Sequence, residues 1–415
     1  RQVELAPSLS AWDGGYLPRP LFVDEHEVRA FAADLRRLVE VLLSLPDRLF
    51  DGDLRRFAEA VGVRGERGAL MTRLGAVPPV LGRADVHHDG TAFRLLEIGI
   101  GSELGGWDRS GEGPRAFLRD EAFAAFAAGH RLGYTDTAAE LARALRDTGP
   151  GDPVVAMVEA PGALAEWEKF WRPIQQALLD RGIRCHLGEL DGLEVRGGRV
   201  YMGGDRIDVV YRCCDTDQVL ADPVAFAQAE RLFLAHASGE VVLWAPLESN
   251  LYCEKACLAL MSGPGHRDAF SAEERALFDR VLPWTRVLTP DLIEECRARR
   301  EELILKPSGL YGGKGVVPGW ERTDAEWVTA LRAELPAGAI VQDRVAPRGE
   351  PVPGQAEPWS AVYGFFYTPN GHAGVDARVA PARHSSVIGL TINETALPAG
   401  VFHVLDGVRE DPCPS

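Results

Sequence analysis

Two lysines and four glycines share the fourteen residues "LILKPSGLYGGKGV", 303–316. Lysine offers phosphate oxygens a point charge, and glycine lets backbone N–H groups approach them closely. The order is an apolar run ending in Lys306, then "PSGLYGGKG", then "VV". A P-loop runs differently, its Gly-rich turn leading through Gly-Lys-Ser/Thr into a helix. The spacing here predicts a hairpin with a mobile tip. Lys306 is fixed on a strand, and Lys314, with Gly312 and Gly313, sits on a flap able to close over phosphates. An ordinary solvated loop is the plain alternative.

Other segments place polar groups on strand-like runs. "AIVQDRV" puts Gln342 and Asp343 at the end of an apolar strand, suited to reading the edge of an adenine. "AVYGFFYTPNGHAGVDARVAP" predicts two strands joined by Asn370-Gly371. Asp376 and Arg378 lie two residues apart on the second strand and so share a face. In isolation they read as an ion pair. Beside a phosphate site, Asp376 can hold magnesium and Arg378 can neutralise a transferring phosphoryl group. "FRLLEIGIGSELGG" runs a strand into a Gly-rich turn, with Glu97 near the strand's end. Arg212 closes the apolar strand "IDVVYR", where an open α/β unit binds ligands; a surface ion pair is the alternative. The segment Arg383-His384-Ser385-Ser386 offers a contact to a substrate carboxylate. His87-His88 is expected as exposed decoration of a hairpin turned at Asp89-Gly90.

These groups need a scaffold, and the sequence sketches one. At 415 residues, two or three domains are expected. Residues 1–80 form a helical lead-in. "VDEHEVRAFAADLRRLVEVLLSL" repeats Val28, Phe31, Leu35, Leu38, Val39 and Leu42 at helical spacing, with Asp24 as its cap. Residues 151–245 read strand, helix, strand: an open α/β unit placed to help select substrates. "SAEERALFDRVLP" is a helix capped by Ser271. The stretch "APRGEPVPGQAEP" is an exposed loop.

Composition excludes several partners. The net charge of −16 disfavours nucleic acid, which needs a basic face, but leaves room for a local cationic pocket. No apolar run approaches the roughly 20 residues of a membrane span, and no signal-peptide pattern opens the chain. The cytoplasm is the expected compartment. Seven cysteines do not make a disulfide scaffold, and Cys213, Cys214, Cys253 and Cys257 lack the companions of a zinc site, so buried thiols are expected.

Taken in order, "LILKPSGLYGGKGV", "IVQDRV" and "GVDARV" resemble the nucleotide-binding half of the ATP-grasp superfamily. "FRLLEIGIGSELGG" resembles its metal-ligand strand, here moved ahead of the rest, and "PLESNLYCEKACLALM" resembles the helix whose lysine contacts ATP. This order is similar to that of the circularly permuted ATP-grasp group, which includes glutathionylspermidine synthase-like carboxylate–amine ligases. The resemblance implies a permuted ATP-grasp fold of mixed α/β class, with 81–150 as the metal-strand segment, 151–245 as a pre-ATP-grasp-like domain and 246–415 as the ATP-binding subdomains. It implies that Lys255 and Lys306 bind ATP phosphates and that Gln342, Asp343 and Val345 line the adenine pocket, largely through backbone. It further implies that Asp376 and Glu97 hold Mg²⁺ or Mn²⁺, and that Arg378 meets the γ-phosphate and an acyl phosphate. Gly99 stands where the family carries a metal-ligand asparagine, which leaves Glu103 or Asn393 to substitute. The implied activity is ADP-forming ligation of small carboxylate and amine substrates, with Arg212, Glu103, Arg383 and His384 as substrate contacts. A phosphotransferase that stops at a phosphorylated product and a nucleotide-binding protein without turnover are the rival readings.

Overall fold

The computed structural model describes residues 15–382 and 387–405. Its frame is a five-stranded antiparallel sheet in the order Leu397–Ala399, Gly371–Pro381, Trp359–Thr368, Gly82–His88, Phe93–Ile100. Two early strands thus complete a sheet begun by late ones. The early pair is a hairpin turned at Asp89, whose carboxylate accepts from the N–H groups of Thr91 and Ala92 (both 2.8 Å). The late pair turns on Pro369 and Asn370, one residue earlier than the spacing predicts, because Gly371 already pairs with Thr368.

The helical lead-in covers one face of this sheet. In the helix Glu25–Leu43 the Asp24 carboxylate accepts from His26 N–H (2.8 Å) and Glu27 N–H (3.3 Å), closing two of the donors that a helix start leaves open. All six predicted apolar positions are buried. Phe31 packs edge-on against Phe365, ring centroids 4.7 Å apart. Tyr363, Phe365, Val375, Ala377 and Val379 join the same core. Strand alternation sends the intervening residues, Gly364, Asp376 and Arg378, to the opposite face.

His87 and His88 depart from expectation. They are 7% and 3% exposed, because the lead-in and the segment after 343 close over the end of the hairpin. His87 Nδ1 lies 2.8 Å from the Ala361 carbonyl oxygen, His88 Nδ1 accepts from Gly90 N–H, and Arg348 N–H donates to the His88 carbonyl. The stretch "APRGEPVPGQAEP" is also not wholly exposed. Glu350 is buried, accepting from Tyr363 OH (2.8 Å) and Arg348 Nε (2.9 Å).

Among the described residues, two four-stranded and two three-stranded sheets accompany the frame, and the four-stranded pair bears on the site. A parallel sheet runs Val242–Trp244, Val209–Arg212, Val154–Glu159, Arg184–Glu189, with the helix Leu164–Leu179 connecting the last two. Val154–Glu159 is buried at every residue, as a parallel strand covered on both faces must be. An antiparallel sheet runs Thr285–Val287, Ile340–Asp343, Leu303–Lys306, Val317–Pro318. In it Ile304 pairs with Pro318 and Leu305 with Val317, so the predicted flap is a hairpin whose tip is 307–316. Among the described residues, no helix is long and apolar enough to cross a membrane.

Candidate functional site

The face of the five-stranded sheet turned away from the lead-in carries a row of acidic positions, Asp85 and Asp376 among them buried. Asp376 pairs with Gly364, Gly364 with Asp85, and Asp85 with Glu97, so four strands contribute to one level. The last pairing depends on a bulge. Counting out from the turn, His88 opposes Phe93, His87 opposes Arg94 and Val86 opposes Leu95. The register then shifts, Leu96 is left over, and Glu97 comes opposite Asp85. The freed Leu96 carbonyl accepts from Lys306 Nζ at 2.8 Å.

Gly364 is needed in the middle of the row. A Cβ there would lie 2.2 Å from Asp376 Oδ1 and 2.7 Å from Arg83 Cδ. Side chains from both neighbouring strands cross the space it leaves open. Arg83 holds Asp85 through Nε (2.7 Å) and Nη2 (3.2 Å) and donates from Nη1 to the Gly105 carbonyl (2.8 Å). Arg378 Nη2 reaches the same carboxylate at 2.7 Å. Burial works against the Asp85 charge, but Arg378 and then Arg83 overrule it and hold the carboxyl well below the usual range.

Asp376 and Arg378, expected to act as neighbours, therefore part company. Arg378 turns to Asp85, while Asp376 Oδ2 accepts from Arg109 at 3.3 Å and its buried Oδ1 has no hydrogen-bond partner among the described residues. Three ladder spacings separate Asp376 from Glu97, about 14 Å between their Cα atoms. One small ion cannot bridge that distance. The carboxylate facing Glu97 is Asp85, which the sequence reading passed over along with Arg83.

Lys306 comes from the second sheet. Its Nζ donates to Leu96 O and to Gln342 Oε1 (2.7 Å), and Gln342 Nε2 donates to Thr285 Oγ1 (3.0 Å). The chain of bonds from Thr285 to Leu96 ties the two sheets together. It also engages the Gln342 amide, and Arg299 pairs with the Asp343 carboxylate. Val345, two residues beyond Asp343, is half-buried. Burial pushes the Lys306 ammonium down to about 8; Glu97 resists, Lys255 adds to the push and Asp85 resists.

Lys255 sits where a predicted single helix breaks into Ser249–Cys253 and Ala256–Ser262. Its Nζ donates to Leu310 O in the flap (2.5 Å) and lies 5.4 Å from the centre of the Tyr311 ring. Positive φ at Gly309, Gly312, Gly313 and Gly315 lets the tip fold over the site, with Lys314 exposed.

The remaining expected residues lie apart. Arg212 is 3% exposed and is no surface partner. It donates to Ala245 O (2.9 Å), Cys214 O, Ser249 Oγ (3.1 Å) and Glu103 Oε2 (2.9 Å). Glu103 also accepts from Asn250. Arg212 and Glu103 thus hold each other and join the Gly-rich turn to the parallel sheet. Asn393 caps its own turn, accepting from Thr395 N–H (3.0 Å). A side chain at Gly99 would meet Leu104 Cδ2 at 2.9 Å, so that space is filled. Neither Glu103 nor Asn393 takes the missing ligand's place. Arg383 and His384 lie outside the described residues. Cys213, Cys214 and Cys257 are buried free thiols and Cys253 is half-buried; burial raises the pKa of all four.

Glu97 and Asp85, opposite each other beside cationic groups, are the kind of carboxylates that hold a divalent ion together with phosphate oxygens. Magnesium takes one or two protein carboxylates and completes its shell with phosphate oxygens and water. Among the described residues no three acidic, histidine or cysteine side chains form a metal cage by themselves.

Comparison with known proteins finds structures that resemble this chain. A glutathione synthetase-like effector from Globodera pallida aligns with a TM-score of 0.60 at 13% identity, covering 97% of this chain and 98% of its own. A protein of Methylobacillus flagellatus KT assigned as a gamma-glutamylcysteine synthetase aligns with a TM-score of 0.43 at 12% identity, covering 84% and 87%. No curated protein matches the sequence. A family model described as a circularly permuted ATP-grasp matches residues 121–340, just over half of the sequence and including the parallel sheet, Lys255 and the flap. The acidic row lies outside that span, and the fold supplies it from strands on either side of the match. The chain belongs to the circularly permuted ATP-grasp family.

Proposed function

We propose that this protein is an ATP-dependent, ADP-forming carboxylate–amine ligase acting through an acyl phosphate. The observation that carries the proposal is the convergence of Lys306 from one sheet on Glu97 and Asp85 of another, under a glycine flap and beside Arg83 and Arg378. Lys255, Lys306, Arg83 and Arg378 set four cations against the carboxylates Asp85 and Glu97. The excess of two complements a magnesium–ATP complex, which carries about −2.

In this reading Lys306 and Lys255 bind phosphate oxygens, Lys255 exchanging Leu310 O for the nucleotide. Gly312, Gly313 and Lys314 close the flap and exclude water. Arg378 and Arg83 neutralise the phosphoryl group as it passes to a substrate carboxylate, each held in place by Asp85. A divalent ion held by Glu97 and Asp85 supplies further neutralisation of the phosphates when bound. The amine then attacks the acyl phosphate carbon, the C–N bond forms and inorganic phosphate leaves with the C–O electron pair. Gln342, Asp343 and Val345 contribute backbone to the adenine pocket. Asp376, tied to Arg109, supports the wall of the site.

A second reading is a nucleotide-binding protein without turnover. The observation favouring it is Gly99, whose side-chain space Leu104 fills. ADP release separates the two readings, measured against a library of amino acids paired as acid and amine with Mg²⁺ or Mn²⁺. Amine-dependent ADP and phosphate release, abolished by Lys306→Ala and by Arg378→Ala, is the expected result. Nucleotide binding with no ADP formed by any pair would favour the second reading.

A further inference from the structure

The break between Ser249–Cys253 and Ala256–Ser262 exposes two neighbours to the flap. Lys255 is accounted for above. Glu254 is 2% exposed and collects four donors. Its Oε2 accepts from Gly309 N–H (3.2 Å) and Ser308 Oγ (3.4 Å), and its Oε1 from Tyr311 OH (3.4 Å) and Arg67 Nη1 (3.1 Å). Arg67 Nη2 also donates to Tyr311 OH at 3.3 Å. The flap therefore rests on a buried carboxylate whose countercharge comes from the helical lead-in, on the short helix Gly65–Met71.

The same guanidinium has a third partner. Arg67 Nε lies 3.1 Å from Asp217 Oδ1, an ion pair without hydrogen-bond geometry, on the helix Thr216–Ala221 of the parallel-sheet unit. That helix follows the carboxyl end of the strand Val209–Arg212, the side on which open α/β units bind ligands. Fit is close on the lead-in side as well: a Cβ at Gly62 would lie 3.2 Å from Ser308 Oγ. One planar group with donors in a fixed fork thus meets three separate parts of the chain, a task lysine's single ammonium cannot perform.

We infer that Arg67 is a positioning residue that couples the flap over the nucleotide site to the ligand end of the α/β unit, through Glu254 and Tyr311 on one side and Asp217 on the other. The nucleotide half of this statement rests on the function proposed above; the latch itself does not. When Arg67 is drawn toward Asp217, Glu254 loses its countercharge and the flap loses a donor to Tyr311. When it stays on Glu254, the flap is held down.

Hydrogen–deuterium exchange of 308–316 in the nucleotide-free full chain tests the latch. Arg67→Met should raise exchange there about tenfold, and Tyr311→Phe, a change on an exposed loop, about threefold. Arg67→Lys should fall between Arg67→Met and wild type. Asp217→Asn should change flap exchange about twofold although residue 217 lies outside the flap. With adenylyl imidodiphosphate and Mg²⁺, Arg67→Met should speed nucleotide release about fivefold. Flap exchange within experimental error of wild type in both Arg67→Met and Tyr311→Phe overturns the latch. An unchanged flap in Asp217→Asn overturns the coupling. If the wild-type chain binds no nucleotide, the proposed function fails, while the exchange data on the nucleotide-free chain still decide the latch.

Discussion

Lys306 offers a prediction in which affinity and stability move in opposite directions. Burial depresses its ammonium to about 8. The ammonium fraction is then about 0.9 at pH 7 and about 0.1 at pH 9. If the ammonium binds the phosphates, ATP affinity should fall about tenfold over those two units. Stability behaves otherwise. A depressed lysine means that the unfolded chain binds more protons between about pH 8 and 10.5, so stability rises with pH in that window. Below it, the buried ammonium costs about 3 kcal/mol relative to its neutral form. The assay is ATP titration calorimetry with Mg²⁺ at pH 7, 8 and 9, paired with urea melts at pH 8 to 10. Lys306→Arg should bind with a flat pH profile. Lys306→Met should bind weakly at every pH, and its stability relative to wild type should decline as pH rises. Wild-type affinity that stays flat from pH 7 to 9, or an equal decline in Lys306→Met, would refute the assignment of the ammonium to the phosphates.

Other consequences follow from single contacts. Gly364→Ala should push Asp376 and Arg83 out of place, with an overpacking cost of about 1–3 kcal/mol and turnover reduced more than tenfold, read by ADP release with circular dichroism as the fold control; unchanged turnover would count against the row. Glu97→Gln, a change that touches neither arginine held by Asp85, should remove the magnesium enhancement of nucleotide binding while leaving metal-free binding in place, which calorimetry with and without Mg²⁺ resolves. Arg212→Met leaves the half-buried Glu103 with Asn250 alone and should cost about 1–3 kcal/mol in a urea melt; adding Glu103→Gln should recover part of it, and no measurable loss would show that the pair is not structural. Asp24→Ala opens the start of the lead-in helix at about 1 kcal/mol and should leave ADP release unchanged.

Elements whose logic is local were legible in the sequence. The helix on Asp24 follows from a cap and a 3.6-residue apolar period, and all six of its predicted contacts are buried. The cap at Ser271, the hairpin at Asp89-Gly90 and the strand–flap–strand order around Lys306 likewise depend on residues a few positions apart. Misreadings came where a distant segment decides. His87 and His88 look like hairpin decoration until the lead-in closes over them. Arg212 looks like a surface or ligand-facing cation until Glu103, 109 residues earlier, meets it.

The sequence by itself determined which side chains were available: lysines beside glycines, carboxylates and arginines two apart on strands, and the short-range signals that make those strands and turns. Tertiary structure decided which of them meet. Arg83 and Asp85 bear the same two-residue spacing as Asp376 and Arg378, so strand period alone ranks neither pair above the other. Counting from the His88–Phe93 pair at the turn would have set Asp85 against Leu96. The bulge at Leu96 reversed that, bringing Glu97 opposite and freeing a carbonyl for Lys306. A bulge is a choice among register alternatives of nearly equal local energy, and here the packing of one sheet against another, joined through Lys306 and Gln342, settles it.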